Sequence, residues 1–426
     1  MNKNHPCPSL STDTKAIEKD SIEANWRSVV RRRSFLRNIG LGTAATTLPV
    51  SSLFAVETNG SSDRDDRPLT RGDAAILRLA AAIELIEADL WQQYNELGGA
   101  VDQNNNPNPG NPSYIAGLSN LDGDMAQYIS DNTDDEISHA AFLNAYLESK
   151  GEEPVSFKTF QTIPPTKASG ANQSLMRITN LQSLNVDTSW YFRYRSTKNP
   201  DFGAQFPQLL TISNQPAIPV SDADTDPNTL VSLLQSPPIT DPKARRMQAI
   251  ANTAGFHFAF IEQGGSSLYP VLALRASSLE VLRILVSIGG VEINHFSVWH
   301  DKGGNAINQP LAGPNGLTDP ETGLTFPDFN NPANQHNPKL SPSDQAAGSQ
   351  MFQTNLILPE PVEFLSRNLP PVSIIRPTRA RNGGAVATIQ AFTADNLFLG
   401  QKDQRFFQTV LGLASAADNA TRDLNS

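Results

Sequence analysis

The sequence predicts an all-α core, built as a four-helix bundle, with a long loop-rich insertion between helices 2 and 3 and an irregular C-terminal extension. Three observations predict it. Four long segments repeat apolar residues at helical spacing. The second and fourth of them carry the same Glu-Ile-x-His motif, and a proline-rich stretch separates the second from the third. With 38% hydrophobic residues, the 426-residue chain can fill such a core.

The first predicted helix runs from Thr70 to Leu97 and is amphipathic along its length. Thr70 and Asp73 suit the start of a helix, and two glycines after Leu97 suit its end. Glu84 stands among alanine, leucine and isoleucine neighbours. A carboxylate in that position is costly unless it is paired or bound to a cation.

The second predicted helix runs from about Asp122 to Lys150 and ends at Gly151. It carries Glu136-Ile137-Ser138-His139. Because residues three apart lie about 60° apart around a helix axis, Glu136 and His139 project to the same side.

The third predicted helix begins at Asp241, whose proline neighbour suits a first helical position, and runs through Glu262 to Tyr269. Gly264-Gly265 and Pro270 weaken a straight helix. We therefore expect a kink or a bulge just beyond Glu262.

The fourth predicted helix opens with Ser277-Ser278-Leu279-Glu280, which has the pattern of a capping box, and stops at Gly303-Gly304. It carries Glu292-Ile293-Asn294-His295, the second helical Glu-x-x-His of the chain.

The four segments form an internal duplication. Glu84 precedes Trp91 by seven residues, and Glu262 precedes Tyr269 by the same interval. Seven residues are nearly two helical turns, so we expect each aromatic residue to lie on the same helix face as its glutamate. The resulting order is Glu, Glu-x-x-His, Glu, Glu-x-x-His. Ferritin-like di-iron and di-manganese carboxylate proteins have the same ligand order.

Three segments of the chain resemble the secreted ferritin-like family that includes desiccation-related proteins: 83–91, 258–269 and 285–295. The resemblance covers roughly residues 70–302 and implies a ferritin-like four-helix bundle. Carried over residue by residue, it implies six metal ligands, namely Glu84, Glu136, His139, Glu262, Glu292 and His295.

The chain departs from that family in two places. Trp91 stands where a tyrosine is usual, and about 90 residues separate the second and third helices. A crossover along a bundle needs on the order of ten extended residues, so most of this connection is an insertion of loops with short strands or turns. Such an insertion argues against a ferritin storage cage.

The residue types suit two iron or manganese ions. Four carboxylates balance two divalent cations and can bridge them, while each histidine supplies a terminal nitrogen. Zinc sites usually have fewer carboxylate ligands than this set. The resemblance implies oxidoreductase chemistry with dioxygen or peroxide, of a ferroxidase-like or catalase-like kind. The alternative is a non-catalytic envelope stress or desiccation-related structural protein with a vestigial site, so enzymatic activity stays open.

Several neighbouring residues have competing interpretations. Glu87, one turn after Glu84, is an alternative ligand, an exposed carboxylate or a residue that supports the ligands. Tyr269 has three competing interpretations: it packs in the core, it donates a hydrogen bond to a ligand, or it carries an electron. His257 and His300 each lie five residues from a proposed ligand, which turns them away from it.

The N-terminal segment resembles a twin-arginine signal. Residues 32–37 read Arg-Arg-Ser-Phe-Leu-Arg, and a weakly apolar stretch follows as far as Ala55. The resemblance implies folded export to the periplasm or the extracellular space by the twin-arginine machinery. A basic tail that binds an anionic surface is the alternative.

Composition restricts the partners and the kind of metal site that the chain can have. The net charge is −10, and the basic residues are concentrated in the leader, so we expect no nucleic-acid partner. The single cysteine, Cys7, also lies in the leader, so a metal site must use oxygen and nitrogen. We expect no stable membrane span. A homo-oligomer is possible.

The predicted domain organisation follows from these features. A signal peptide occupies residues 1–55 and a linker residues 56–69. The bundle covers 70–302, with the insertion at about 152–240. A C-terminal extension, 303–426, packs on the bundle and ends in one amphipathic helix over 394–422.

Overall fold

The computed structural model describes most of the chain after the predicted leader, in the ranges 68–102, 106–190, 208–226, 229–305, 316–327, 368–372 and 384–423. The leader, 1–55, and most of the predicted linker lie outside the described residues. The described part is mostly helical, which confirms the all-α core.

Four long helices form the bundle, and two short ones lie in the connections. In chain order they are α1 (Arg71–Gly98), α2 (Pro112–Ser119), α3 (Met125–Ser149), α4 (Leu230–Leu234), α5 (Pro242–Ala273) and α6 (Leu279–Asn305). The most extensive contacts join α1 to α3 and α5 to α6. The bundle therefore consists of two helix pairs, which correspond to the two halves of the duplicated sequence pattern.

The predicted caps form at the starts of α1 and α5. The Thr70 hydroxyl accepts a hydrogen bond from the Asp73 backbone N–H at 3.0 Å. Asp241 accepts from two backbone N–H groups of the first turn of α5. Each cap satisfies donors that a helix N-terminus leaves without partners.

The start of α6 differs from the prediction. Ser278 is its cap, because the Ser278 hydroxyl accepts from the Val281 N–H at 3.1 Å. The N–H groups of Ser277 and Ser278 donate to Asp73 on α1 at 2.8 and 3.1 Å. Glu280 instead contacts Tyr146 of α3 and Lys150 just after that helix. The predicted capping box is therefore wrong: a distant aspartate does what the local glutamate was expected to do.

The bulge that the sequence predicts beyond Glu262 does not form. The chain stays α-helical through Gly264 and Gly265 and past Pro270 to Ala273. Gly265 has a packing role, since a Cβ atom there would lie 2.2 Å from Oε2 of Glu292. This glycine lets α5 and α6 approach each other closely at the level of the predicted site.

The connection between α3 and α5 is loop-rich in its described ranges, with a 3-10 turn at Lys158–Phe160, the helix α4 and isolated bridges. It is tied to α1 by buried polar contacts. Asp89 accepts from the backbone N–H groups of Ile178 and Thr179 at 3.0 and 2.9 Å.

The described C-terminal residues contain a two-stranded antiparallel ladder, β1 (Leu317–Thr318) with β2 (Thr325–Phe326), and two helices, α7 (Ala385–Ala394) and α8 (Gln404–Asp418). The expected single helix over 394–422 is wrong. Asn396 and Gly400 have left-handed backbones, with φ of 65° and 93°, and turn the chain between the two helices. Helix α8 packs against α1.

Within the described ranges, α6 alone is long and apolar enough to cross a membrane, with a mean hydropathy of 1.3 over an 18-residue window of Leu279–Gly303. The same helix carries Glu292 and His295, both buried in the bundle. Charged side chains are expensive in hydrocarbon, and core helices of bundles pass the same composition test. For the described residues, these features are consistent with the expectation of no stable membrane span.

Candidate metal centre

The six predicted ligands meet between the two helix pairs. The four glutamates are fully buried, and His139 and His295 are 8% and 6% exposed. Helices α1 and α5 supply one glutamate each, whereas α3 and α6 each supply a Glu-x-x-His pair from one helix face. The set comprises Glu84, Glu136, His139, Glu262, Glu292 and His295.

The ligand atoms form two overlapping groups of four. One group is Glu84, Glu136, His139 and Glu292, and the other is Glu136, Glu262, Glu292 and His295. Within each group one atom per residue lies within 4.8 Å of all the others. Glu136 and Glu292 belong to both groups. The arrangement suits two cations side by side, with two shared carboxylates and one Glu and one His terminal to each.

His139 faces the first group through one ring nitrogen. Its Nδ1 lies 3.2 Å from Glu84, 3.3 Å from Glu136 and 3.5 Å from Glu292. This nitrogen and the three carboxylates therefore converge on one point, and together they could hold a cation.

His295 faces the second group in the same way and has a further contact. Its Nδ1 lies 3.1 Å from Glu136 and 3.2 Å from Glu262. On the other side of the ring, Nε2 lies 3.0 Å from Asp135. Metal-binding histidines commonly donate their second N–H to a carboxylate, which fixes the ring orientation. The sequence analysis missed Asp135, although it directly precedes Glu136.

Asn132 is the second residue that the sequence analysis missed. Its amide nitrogen donates to Glu136 at 2.8 Å and to Glu262 at 3.1 Å. Its amide oxygen accepts from the indole N–H of Trp299 at 2.6 Å. The signal was available in part, because Asn132 lies four residues before Glu136 and so on the same helix face.

Tyr269 reaches across the bundle to the other half of the site. Its hydroxyl donates to Glu84 on α1, not to Glu262 on its own helix. The seven-residue spacing places Tyr269 on the same helix face as Glu262, but its hydrogen bond is to the glutamate of the other helix pair. Seven residues along a helix are about 10 Å, which is too far for direct contact. Close packing permits the crossing, since a Cβ on Gly289 would lie 2.6 Å from the Cβ of Tyr269.

Glu87 is a fifth buried carboxylate beside the cluster. It is fully buried, so the exposed alternative is wrong. Neither of its oxygens has a hydrogen-bond partner among the residues described. Burial, followed by the charges of Glu292 and Glu136, raises its pKa well above the usual range. Glu87 belongs to neither group of four.

Burial raises the pKa of most carboxyl groups in the cluster. It raises the pKa of Glu84 to about 7 and that of Glu292 well above the usual range, and it also raises the pKa of Glu262. Glu136 is the exception. Burial opposes its ionisation too, but hydrogen bonds and charges from His139 and His295 outweigh it and lower the pKa.

The histidines shift the other way. Burial acts to lower the pKa of His139, but the charge of Glu84 and contacts to Glu136 outweigh it and raise the pKa to about 11. The same balance, led by burial and the charge of Glu262, raises the pKa of His295 well above its usual range. Without a cation, protons therefore neutralise the cluster. A metal ion would have to displace them.

A family model described as the ferritin-like domain matches residues 72–304. This match covers more than half of the chain, and it contains all four bundle helices and all six clustered residues. The chain belongs to the ferritin-like domain family. No curated protein and no solved structure matches it.

The residues of this ferritin-like site fit a metal pair. Both carboxylate oxygens of Glu292 and both of Glu87 make no hydrogen bond within the described part of the chain. His139 is in ion-pair range of one Glu292 oxygen, but the other Glu292 oxygen and both Glu87 oxygens are buried without a hydrogen bond there. An unsatisfied buried polar group costs on the order of 1–3 kcal/mol, and a bound cation would remove that cost. The donor set is oxygen and nitrogen without sulfur, which suits iron or manganese.

The two histidines that were expected to point away lie outside the two ligand groups. In this ferritin-like bundle His257 contacts Tyr94 and Asp395. The His300 ring packs edge-on against Trp190 with a centroid distance of 5.5 Å.

Proposed function

We propose that this ferritin-like protein holds two iron or manganese ions and carries out oxidoreductase chemistry with dioxygen or peroxide. One observation supports the proposal above all others. Glu136 and Glu292 are shared by two complete groups of buried Glu and His ligands. Shared carboxylates keep two ions close together, which is what two-metal chemistry requires.

The surrounding side chains would prepare the ligands for the ions. Tyr269 holds Glu84, Asn132 holds Glu136 and Glu262, and Asp135 orients His295. These contacts fix ligand direction before any ion binds, which lowers the cost of ordering on binding. Bound iron or manganese would supply redox steps that no side chain of this site can supply.

The reaction is proposed to be ferroxidase-like or catalase-like. Both need a metal pair that gains and loses electrons in a pocket that keeps bulk water out. The aromatic rings of Trp91, Phe258 and Trp299 are fully or almost fully buried with centroids within 5.2 Å of one another, and Trp299 donates to Asn132 beside the ligands, which supports a dry environment on this side of the site.

Metal analysis of the protein purified from its native host tests this proposal. We expect about two ions of iron or manganese per chain, and activity in a ferroxidase or a catalase assay. The Glu136→Ala variant should lose both. Glu148→Ala, at an exposed position near the end of α3, is the matched control and should lose neither.

Fewer than about one bound ion per chain would contradict the metal-pair proposal. That result would favour the alternative, a non-catalytic stress or desiccation-related protein with a vestigial site. Two bound ions without either activity would support the metal-pair site but exclude ferroxidase and catalase activity.

We further propose that the protein is exported by the twin-arginine pathway, as in the secreted ferritin-like family that includes desiccation-related proteins. The ordered motif at residues 32–37 supports this. Because that pathway carries folded proteins, the ions would be inserted before export. Replacing Arg32 and Arg33 together with lysine should keep the protein in the cytoplasm, which cell fractionation would show. Unchanged export would contradict the proposal.

A further inference from the structure

A chain of aromatic side chains begins at the metal centre. The indole N–H of Trp299 donates to the amide oxygen of Asn132 at 2.6 Å. The amide nitrogen of Asn132 donates in turn to Glu136 and Glu262. Trp299 is therefore separated from two proposed ligands by one hydrogen-bonded amide.

The rings continue without a gap from Trp299. Trp299 stacks on Trp91 with a centroid distance of 5.2 Å and an interplanar angle of 24°. Trp91 lies 5.7 Å from the ring of Tyr94, and Phe258 packs against all three. Trp91, Tyr94 and Phe258 are fully buried, and Trp299 is 1% exposed. Close contact between oxidisable rings in a dry interior favours electron transfer between them.

The series of aromatic rings ends at Tyr94, whose hydroxyl contacts a base, His257. The Tyr94 hydroxyl lies 2.8 Å from Nδ1 of His257, and Nε2 of His257 lies 3.0 Å from Asp395. If Nδ1 carried the ring proton, the buried phenol would have no acceptor for its hydrogen in the described residues. The hydroxyl therefore donates to Nδ1, and the Nε2–H group donates to Asp395.

Burial leaves His257 neutral and also makes it a weaker base, so it can take only a strongly acidic proton. Burial lowers the pKa of His257 to about 3, so its imidazole is neutral at neutral pH. Removing an electron from a phenol makes its proton strongly acidic. A neutral imidazole nitrogen in hydrogen-bond contact is a suitable acceptor for that proton.

Two other buried tyrosines lack this combination. The Tyr114 hydroxyl donates to the backbone carbonyl of Ala217 at 2.7 Å, and a carbonyl is a poor proton acceptor. The Tyr269 hydroxyl donates to Glu84, whose basicity falls once it binds a cation. Tyr94 combines ring contacts toward the centre with a free base.

We propose that Trp299, Trp91 and Tyr94 form an electron relay that ends in a proton-coupled pair, Tyr94 with His257. The relay rests on the proposed function, because its oxidant is the metal centre after reaction with peroxide or dioxygen. Tyr94 gives up one electron, which passes through Trp91 and Trp299 and reduces the oxidant by one electron. The phenolic O–H bond breaks, and its proton forms an N–H bond at Nδ1 of His257.

The products of this step are a neutral tyrosyl radical and an imidazolium that faces the carboxyl group of Asp395. Every atom and charge is retained inside the bundle. The relay gives the centre a place to hold one oxidising equivalent away from its carboxylate ligands. When no second reductant is bound, that arrangement spares the ligands from oxidation.

Electron paramagnetic resonance of the iron-loaded full chain, frozen after mixing with peroxide, tests the relay. Wild-type protein should give an organic radical signal that narrows when the tyrosine rings are deuterated. Tyr94→Phe should abolish it, whereas the matched control Tyr114→Phe should keep it. Trp91→Phe, which keeps a buried ring but removes an oxidisable one, should slow radical formation.

Iron binding and iron oxidation are followed by absorbance in the same samples, and folding by circular dichroism. Iron that binds and is oxidised without a Tyr94-dependent radical would overturn the relay and leave the proposed function standing. Iron that does not bind would overturn both. A radical that survives in Tyr94→Phe and disappears in Tyr269→Phe would also overturn the relay, because the oxidising equivalent would then reside beside the ligands.

Discussion

The two halves of the candidate metal centre share their ligand types but differ in the contacts around them. In the first half, Glu84 is held by Tyr269, and the ion-pair contacts of His139 are to carboxylates of the cluster. In the second half, Glu262 is held by Asn132, and His295 by Asp135. The second half therefore has the better-fixed histidine.

A second difference lies three residues beyond each terminal glutamate. On α1 this position is Glu87, a buried carboxylate without a hydrogen-bond partner in the described ranges. On α5 it is Gly265, where a Cβ would collide with Glu292. The first half thus has an extra buried carboxyl group, whose pKa is raised, while in the second half a shared ligand occupies that space. The comparison teaches that a duplicated ligand pattern can enclose two unequal sites, and we expect the second half to bind its ion first.

Removing a shared ligand should have the largest effect, because it damages both halves. Glu136→Ala should reduce the bound metal from about two ions per chain to fewer than about one. Equilibrium dialysis followed by elemental analysis measures this. If Glu136→Ala still binds two ions, the carboxylate is not shared and the two groups are independent.

Removing a terminal histidine should separate the halves. His295→Ala should abolish the tighter phase of an anaerobic metal titration, and His139→Ala should abolish the weaker phase. The reason is that Asp135 orients the ring of His295, whereas the ion-pair contacts of His139 are to the cluster itself. Isothermal titration calorimetry resolves the phases. Identical losses in both variants would mean that the contacts around the ligands do not distinguish the halves.

Glu87→Gln tests the extra carboxyl group of the first half. The metal-free protein should gain about 1–3 kcal/mol in its free energy of unfolding, since a carboxyl group whose ionisation burial penalises is replaced by an amide that does not ionise. The rise in melting temperature on adding metal should shrink. Denaturant unfolding of both forms measures this, with Glu148→Gln as the exposed control on α3. A destabilised metal-free protein would show that Glu87 has a partner after all.

The helices and the six clustered residues could be predicted because their signals are local. Helical periodicity places α1, α3, α5 and α6, and the i, i+3 spacing of each Glu-x-x-His pair puts both side chains on one face. Glu84 stood out because its neighbours are apolar, and Glu262 because it precedes an aromatic residue by the same seven positions as Glu84 does. The sequence predicted which residues face the core, and packing of the helices then brought them together.

The contacts that were missed act across the chain. Asp73 accepts from the start of α6, more than 200 positions away, Asn132 connects α3 with α5, and Tyr269, expected to support a ligand, does so from α5 to α1. No spacing rule relates such pairs, because they depend on the relative placement of whole helices. Gly265 was misread for the same reason: its role is set by Glu292 on the neighbouring helix, not by local helix propensity.

Asp135→Asn should weaken the second half without removing a ligand. Loss of a partner that orients a metal-binding histidine costs about 10–100-fold in affinity, and the lower end is expected because the Asp135 side chain is 51% exposed. The tighter titration phase should shift, and the weaker one should not. A shift of both phases by the same factor would point to a general charge effect.

Metal binding should also depend on pH. The pKa of Glu84 is raised to about 7 and that of His139 to about 11, so both hold protons in acid and His139 still does at neutral pH. Because an ion must displace these protons, affinity should rise with pH, by up to about tenfold per pH unit for each proton released. Titrations between about pH 6 and pH 8 check the sign. Affinity that falls as pH rises would contradict it.

The most direct test of the central claim is anomalous X-ray diffraction from crystals of the iron-loaded or manganese-loaded protein. We predict two peaks between the helix pairs, about 3.5–4 Å apart, with Glu136 and Glu292 reaching both ions. His139 and His295 should each lie beside one peak. A single peak, or none within reach of Glu136 and Glu292, would contradict the account.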